Sequence, residues 1–167
     1  MPSAYDHFMI DIETYDTSPS AVILSIGAEN ILGVNTFYCE VDPNTQHERT
    51  VSQDTKNWWA QQGNPPIHGF MQLVEVLAEL SNWIKSLSNE PVIWCKGTDF
   101  DVAILAHAYK SLGMEVPWRY SNVRDCRTIF KLCNAPKVEA THNALEDAQA
   151  QSDELVRCLN KLNVELA

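Results

Sequence analysis

Basic residues are scarce in this sequence of 167 amino acids. Twelve Lys and Arg stand against 22 Asp and Glu, and the formal net charge is -10. So little positive charge argues against a domain that holds nucleic acid through broad neutralisation of phosphates. A large basic binding surface is therefore excluded, and an acidic ligand would need a localised site where bound cations offset the repulsion.

The sequence also lacks long apolar runs and paired cysteines. No run approaches the roughly 18 apolar residues of a membrane-spanning helix, and residues 1–7 lack the basic and apolar regions of a signal peptide. The five cysteines are widely spaced, without a Cys-x-x-Cys pair, which suits free thiols in a reducing compartment. We therefore expect a cytoplasmic protein with one domain, because this length is enough to bury one core.

The spacing of apolar residues changes along the chain from that of strands to that of helices. Residues 8–12, 21–31 and 36–41 form β-type runs with short connections, which predicts three strands in an antiparallel meander. Apolar side chains then recur at helical intervals over residues 70–87, which predicts a long amphipathic helix.

Strands and helices alternate in the second half of the chain. A buried-type strand at residues 91–96 precedes a helix that Gly113 ends. A brief strand is predicted at residues 120–123, followed by helices at about residues 125–133 and 144–162. This order predicts an α/β fold in which a mixed sheet has helices on both faces.

Two acids stand two residues apart on the first predicted strand. Alternate residues of a strand face the same side, so Asp11 and Glu13 project together. Asp11 lies inside an apolar run, where an unpaired carboxylate is costly to bury, and neighbouring carboxylates raise each other's pKa unless a cation neutralises them. A hard divalent metal would resolve this repulsion. The pair alone is equally compatible with a metal site and with a strand end that carries one surface acid and one cap.

Two further acids and a histidine occur close to predicted helix starts. Asp101 follows the strand at residues 91–96, and Asp147 lies in the first turns of the last helix, five residues after His142. Acids at helix N-termini commonly cap the helix or interact with its dipole, so each has a structural explanation of its own. The combination of four acids and a histidine is much less expected by chance.

Together these residues resemble the DEDDh family of 3′→5′ exonucleases, within the ribonuclease-H-like superfamily. The resemblance rests on three motifs in the family's order: Asp11-x-Glu13, Phe100-Asp101, and His142 with Asp147 after four intervening residues. Residues 22–28, 58–59, 94–101 and 124–128 are similar to the branch of exodeoxyribonuclease VIII-like enzymes, phage-type exonucleases and bacterial 3′→5′ exoribonucleases. The similarity covers about residues 8–162, nearly the whole chain.

The resemblance implies a fold and a domain organisation. The fold is a ribonuclease-H-like mixed sheet of five strands, in which the first three form an antiparallel meander and βα units supply the rest. Residues 1–167 would form a single exonuclease domain with a core of about residues 7–163.

The resemblance also implies a reaction. The enzyme would hydrolyse phosphodiester bonds at 3′ ends of DNA or RNA and release nucleoside 5′-monophosphates. The excess of negative charge separately predicts a preference for short or single-stranded ends. Asp11, Glu13, Asp101 and Asp147 would hold two Mg²⁺ or Mn²⁺ ions, and His142 would act as the general base. We expect Asp11 to bridge both ions because it lies deepest in its strand. Related enzymes often form dimers, so a homodimer is a further expectation.

Substrate contacts are expected next to the acids. In such enzymes the backbone at the positions of Thr14 and Tyr15 approaches the terminal nucleotide, and Phe100 is placed to wedge against a base. Trp58 and Trp59 are adjacent on a predicted helix and point about 100° apart, so at least one is expected in the core. The other could stack on a base, although packing is the better interpretation for either one.

Several charged residues near the motifs have open roles. Lys96 stands where related enzymes often carry Asn, and its ammonium group could pair with a site carboxylate or contact a phosphate. Arg124 and Arg127 are candidate phosphate contacts. Asp125 is expected to be a helix N-cap rather than a fifth metal ligand.

Three alternatives compete with this interpretation. The substrate could be RNA rather than DNA, which depends on contacts to the 2′-hydroxyl that the sequence does not reveal. A non-catalytic nucleic-acid-binding domain could retain the fold if Lys96 disrupts the metal site. A purely structural interpretation makes every acid a cap or a surface charge, but it does not explain Asp11 inside an apolar strand.

Overall fold

The computed structural model describes residues 3–63, 69–137 and 139–166. The strands are β1 (His7–Thr14), β2 (Ile23–Asn30), β3 (Thr36–Glu40), β4 (Val92–Cys95) and β5 (Val123–Asp125). The α-helices are α1 (Gln53–Gln61), α2 (Leu73–Leu87), α3 (Asp101–Ser111), α4 (Cys126–Cys133) and α5 (Ala144–Leu162). None of the helices in the described part has the length and apolar character of a membrane span.

The five strands form one mixed sheet in the order β3-β2-β1-β4-β5. Strand β2 pairs antiparallel with both β1 and β3, whereas β4 pairs parallel with β1 and β5 pairs parallel with β4. This topology confirms the predicted meander followed by βα units. Because β1, β4 and β5 run in the same direction, their carboxyl ends meet at one edge of the sheet.

Alternate residues of β1 divide the core between the two faces of the sheet. Phe8, Ile10 and Ile12 pack in a cluster with apolar residues of α2 and α3. Met9 belongs to a second cluster with residues of α4 and α5. Asp11 lies two residues beyond Met9 and therefore faces the side of α4 and α5.

Two elements begin three residues later than the sequence predicts, whereas the bounds of the other strands differ by one or two residues. Helix α2 begins at Leu73, and Phe70 precedes it with 95% of its surface exposed. The helix starts there because Gln72 and Glu75 form a capping box. Residues Tyr120–Asn122 form a 3₁₀ turn, so the brief strand predicted at residues 120–123 lies at Val123–Asp125 instead.

A glycine in β2 sets the position of α5. Gly27 pairs with Asp11 across the sheet. A Cβ atom at Gly27 would lie 2.2 Å from the carbonyl carbon of Ala144 and 2.2 Å from the backbone nitrogen of Leu145. The first turn of α5 therefore rests directly on the backbone of β2, which brings the residues around that turn beside β1.

We expect Gly27→Ala to lower the free energy of unfolding by about 1–3 kcal/mol, because the added methyl group must displace backbone atoms of α5. Urea denaturation followed by circular dichroism measures the loss. Gly63→Ala is the matched control, since a Cβ there meets no atom of the described residues within 4 Å. An unchanged urea midpoint for Gly27→Ala would contradict the close contact.

Candidate metal-binding active site

The candidate site is built on the carboxyl end of β1. Asp11 and Glu13 are both half-buried and lie on the same face of the strand. Across the sheet Asp11 pairs with Gly27 and Glu13 pairs with Ser25. The small residues opposite them leave the two carboxylates facing the first turns of α5.

Asp101 joins the site from the first residue of α3. Its side chain is only 3% exposed, and Oδ1 accepts a hydrogen bond of 3.1 Å from the backbone N–H of Ile12. Ile12 lies between Asp11 and Glu13, so this bond fixes the start of α3 against the strand that carries both acids. The carboxylate of Asp101 therefore connects two elements of the fold.

Asp147 holds the segment that carries the histidine. One carboxylate oxygen accepts the backbone N–H of Thr141 at 2.7 Å, and the other accepts that of His142 at 3.0 Å. His142 has a φ of 62°, a left-handed conformation that costs energy for a residue with a Cβ. The two hydrogen bonds to Asp147 stabilise this conformation and fix the position of the imidazole.

The imidazole of His142 lies between the acids and two tryptophans. Ligand atoms of Glu13, His142 and Asp147 all lie within 4.8 Å of one another. The ring of His142 meets Trp58 edge-on, with centroids 4.7 Å apart, and lies 6.0 Å from the ring of Trp59. The site thus brings together histidine and carboxylates that are far apart in the sequence.

The two tryptophans are positioning residues for the histidine. Trp59 is buried, as expected for at least one of the pair, and its indole N–H donates to the backbone oxygen of Thr14 at 2.9 Å. Trp58 is 38% exposed and packs edge-on against both Trp59 and His142. Helix α1 therefore connects the end of β1 to the imidazole, a role that the sequence did not indicate.

Burial of the carboxyl groups, together with repulsion between some of them, raises their pKa values. Burial, together with repulsion from Asp101 and Glu13, raises the pKa of Asp11 well above its ordinary range. Burial, followed by repulsion from Asp147 and Asp101, raises the pKa of Glu13 to about 8. Burial also raises the pKa of Asp101 to about 7, although its bond from the Ile12 N–H acts in the opposite direction. Oxygen ligands that repel one another in this way fit a hard divalent cation, whose charge offsets the repulsion.

A glutamine that the sequence analysis missed also reaches the site. Gln151 lies one helical turn after Asp147 on α5, is 5% exposed, and donates from Nε2 to Oδ1 of Asp11 at 2.9 Å. Its Oε1 has no hydrogen-bond partner among the described residues. The amide holds one oxygen of Asp11 and so orients that carboxylate. The only signal in the sequence was its spacing of four residues from Asp147.

The predicted substrate-contact residues lie beside the acids and make internal contacts. The hydroxyl of Thr14 donates to the backbone oxygen of Asp16 at 2.6 Å. The ring of Tyr15 packs in a small apolar cluster, and the ammonium nitrogen of Lys56 lies 5.5 Å from its centroid. Phe100 is half-buried against the main core. Their roles in substrate binding stay predictions.

The charged residues with open roles are now placed. Asp125 caps α4 by accepting the backbone N–H of Arg127 at 3.0 Å, which confirms the expected N-cap. The side chain of Arg127 bonds to Asp125 and Asp99, and Arg124 bonds to backbone carbonyls of the preceding turn. Lys96 is exposed, and within the described residues it forms no ion pair with a site carboxylate.

Comparison with known proteins identifies the family of this chain. The model of a family described as the 3′-5′ exoribonuclease Rv2179c-like domain matches residues 6–159. No curated protein matches the chain significantly. The matched residues include every acid of the candidate site and His142.

Solved structures show the same fold. The nuclease domain of 3′hExo, a DEDDh family member bound to rAMP, has a TM-score of 0.66 at 14% identity, covering 100% of this chain and 98% of that one. Cell-death related nuclease 4 has a TM-score of 0.60 at 16% identity, covering 93% of this chain, which spans 64% of that protein. S. pombe Pop2p in its Mg²⁺- and Mn²⁺-bound form has a TM-score of 0.62 at 13% identity, with 94% and 84% covered. These likenesses confirm the predicted ribonuclease-H-like fold.

The raised pKa values predict how stability without metal depends on pH. Glu13 has a higher pKa in the folded chain than in the unfolded one, so the folded state holds a proton that the unfolded state releases. Stability in EDTA should therefore fall as the pH rises from about 4, the pKa in the unfolded chain, to about 8, the pKa in the folded chain.

Asp11→Asn removes one of the repelling charges and keeps an acceptor for Gln151. It should therefore raise the melting temperature at pH 8, by about 2–4 °C for each kcal/mol of repulsion removed.

Thermal melts in EDTA and in Mn²⁺ measure both effects. Mn²⁺ should raise the melting temperature of the wild type and much less that of Asp11→Asn. Asp153→Asn is the control, because it replaces an exposed acid of α5, and it should behave as wild type. A lower melting temperature for Asp11→Asn than for wild type in EDTA would contradict the crowding of the carboxylates.

Proposed function

We propose a function on the basis of the family to which the chain belongs, the Rv2179c-like family of 3′-5′ exoribonuclease domains. The protein is a metal-dependent 3′→5′ exonuclease. It hydrolyses the terminal phosphodiester bond at 3′ ends of nucleic acid and releases nucleoside 5′-monophosphates. One observation carries the proposal: four carboxylates and an imidazole lie together at one edge of the sheet. They are supplied by β1, by the first turns of α3 and α5, and by the segment that Asp147 holds before α5.

The carboxylates account for the metal dependence. Asp11, Glu13, Asp101 and Asp147 are the residues that would hold two Mg²⁺ or Mn²⁺ ions. The S. pombe Pop2p structure was obtained with the same two metals, which supports this choice. When bound, such ions stabilise the negative charge that develops on the attacking and leaving oxygens during in-line displacement.

His142 is the proposed general base. Its imidazole lies beside Glu13 and Asp147 and accepts a proton from the water that attacks phosphorus. The new P–O bond forms as the bond from phosphorus to the 3′ oxygen of the preceding nucleotide breaks. The bond from Asp147 to the backbone of His142 and the edge contact with Trp58 keep the imidazole in place through this step.

The substrate is proposed to be a short or single-stranded 3′ end of RNA or DNA. The family description names RNA, so RNA ends are the first substrate to assay and DNA ends are the comparison. Thr14, Tyr15 and Phe100 lie beside the acids and are the proposed contacts of the terminal nucleotide. Family membership and the complete set of carboxylates support an enzyme rather than a non-catalytic binding domain. The homodimer and the single domain over residues 1–167 stay predictions.

The decisive experiment uses oligonucleotides of RNA and DNA labelled at the 3′ or the 5′ end, with Mg²⁺, Mn²⁺ or EDTA. Shortening of the 5′-labelled strand one nucleotide at a time from its 3′ end, with none in EDTA, is the expected result. Asp147→Ala should lower the rate by at least about 10³-fold, because it removes a ligand and releases the segment of His142. Asp153→Ala on the same helix should keep the wild-type rate. Cleavage in EDTA, or full activity of Asp147→Ala, would refute the assignment.

His142→Ala tests the base separately. We expect a loss of about 10²–10⁴-fold in kcat with metal-induced thermal stabilisation retained, because the imidazole transfers a proton and is not a required metal ligand. The dependence of kcat on pH should also differ between this variant and the wild type. A variant with the wild-type pH profile would show that another group accepts the proton.

A further inference from the structure

A cleft next to the candidate site collects a large share of the few cations in this chain. Its volume is about 410 Å³, and its lining residues are Lys96, Arg127, Phe130, Lys131, Asn134, Ala135, Pro136 and Lys137. Four of the twelve Lys and Arg residues of the protein are in this set, and none of the described residues that line it is acidic. In a chain with a net charge of -10, this local excess of positive charge is unusual.

One face of α4 forms a wall of the cleft. Arg127, Phe130 and Lys131 follow one another at helical intervals of three and one residues, which places these three side chains on the same face. Asn134, the C-cap of the helix, lines the cleft beyond its last turn. Half-buried Phe130 packs against the core cluster beneath, so it offers an apolar floor between two cations.

The lysines of the cleft are available to a ligand. Lys96, Lys131 and Lys137 are exposed, and none of them forms an ion pair within residues 3–63, 69–137 and 139–166. Arg127 differs, because Asp125 and Asp99 already accept hydrogen bonds from its guanidinium group. Three uncompensated ammonium groups therefore face the cleft, and Arg127 contributes mainly to its shape.

The cleft lies at the same edge of the sheet as the carboxylates. Lys96 directly follows β4, and the face of α4 directly follows β5, at the carboxyl ends of strands parallel to β1. A Cβ at Gly97 would lie 3.6 Å from the guanidinium carbon of Arg127, so the residues after β4 contact the side chain of Arg127. Burial raises the pKa of Asp101 most strongly, whereas the positive charge of Arg127 acts to lower that pKa. At the other wall, Lys137 precedes His142 by five residues of chain. A strand leaving the carboxylates along this edge reaches the cleft directly.

We propose that this cleft binds the phosphodiester backbone of the single-stranded substrate on the 5′ side of the nucleotide being removed. The inference rests on the proposed exonuclease function and extends it to the part of the substrate that is not cleaved. Lys96, Lys131 and Lys137 contact phosphates, whereas Phe130 and Pro136 receive the flat face of a base or sugar. Contacts of this kind accept any sequence, because every nucleotide carries a phosphate and an apolar face.

The consequence is a dependence on substrate length. A dinucleotide has too few phosphates to occupy both the carboxylate site and the cleft, whereas a strand of about ten nucleotides can occupy both. The cleft should therefore raise kcat/KM for longer single strands relative to dinucleotides. It should also give binding a salt dependence that an acidic protein would otherwise lack.

The test is the double variant Lys131→Ala with Lys137→Ala in the full chain. Fluorescence anisotropy in EDTA measures binding of a ten-nucleotide single strand of RNA and of DNA at several salt concentrations. We expect the dissociation constant to rise about tenfold and the log–log salt slope to become shallower by about 1.4, the value for two lost phosphate contacts on a single strand. In Mg²⁺, the ratio of kcat/KM for ten-nucleotide over dinucleotide substrates should fall by a similar factor.

The matched control is Lys85→Ala with Lys110→Ala, which removes two exposed lysines from α2 and α3 on the opposite side of the sheet. It should keep both the wild-type affinity and the wild-type length dependence. Equal effects of the two double variants would show that only net charge matters, and they would overturn the proposal that the cleft binds the strand. If the wild type hydrolyses nothing, the proposed activity fails, and the anisotropy comparison alone still decides whether the cleft binds a strand.

Discussion

The fold has to hold several carboxylates together at one site, although they are partly buried and repel one another. Burial raises the pKa values of Asp11, Glu13 and Asp101, and repulsion from neighbouring carboxylates raises those of Asp11 and Glu13 further. The surrounding hydrogen bonds hold the site against that repulsion. Asp101 is fixed to β1 through the N–H of Ile12, and Gln151 holds one oxygen of Asp11. A protein that stabilises such an arrangement without a cation is organised in advance for one.

The parts of the site that follow from local periodicity could be predicted from the sequence. Alternation along a strand placed Asp11 and Glu13 on one face, and the motif order joined them to Asp101, His142 and Asp147. The parts that depend on how elements approach one another could not be predicted. Glutamine at position 151 and glycine at position 27 are ordinary residues in a helix and in a strand. Their importance arises because α5 lies against β2 with no space for a Cβ.

The tryptophans and Phe70 are two further cases in which the sequence pattern alone could not predict the contacts or the bounds of a helix. Helical spacing placed Trp58 and Trp59 about 100° apart but could not show that both would meet the imidazole of His142. Apolar spacing also extended the predicted helix of residues 70–87 back to Phe70, although the capping box at Gln72 starts that helix only at Leu73. Periodicity identifies the face that an element buries, whereas caps and neighbouring elements decide where it begins and what it touches.

The uneven distribution of charge in this protein bears on how a nucleic acid would approach it. The net charge of -10 opposes the approach of nucleic acid, whereas the four cations of the proposed cleft would attract it at one edge of the sheet. On this proposal, a strand that meets another face separates quickly, and a strand that arrives at this edge stays long enough for its end to enter the site. The cleft would then orient an approaching strand without the need for a strongly basic surface.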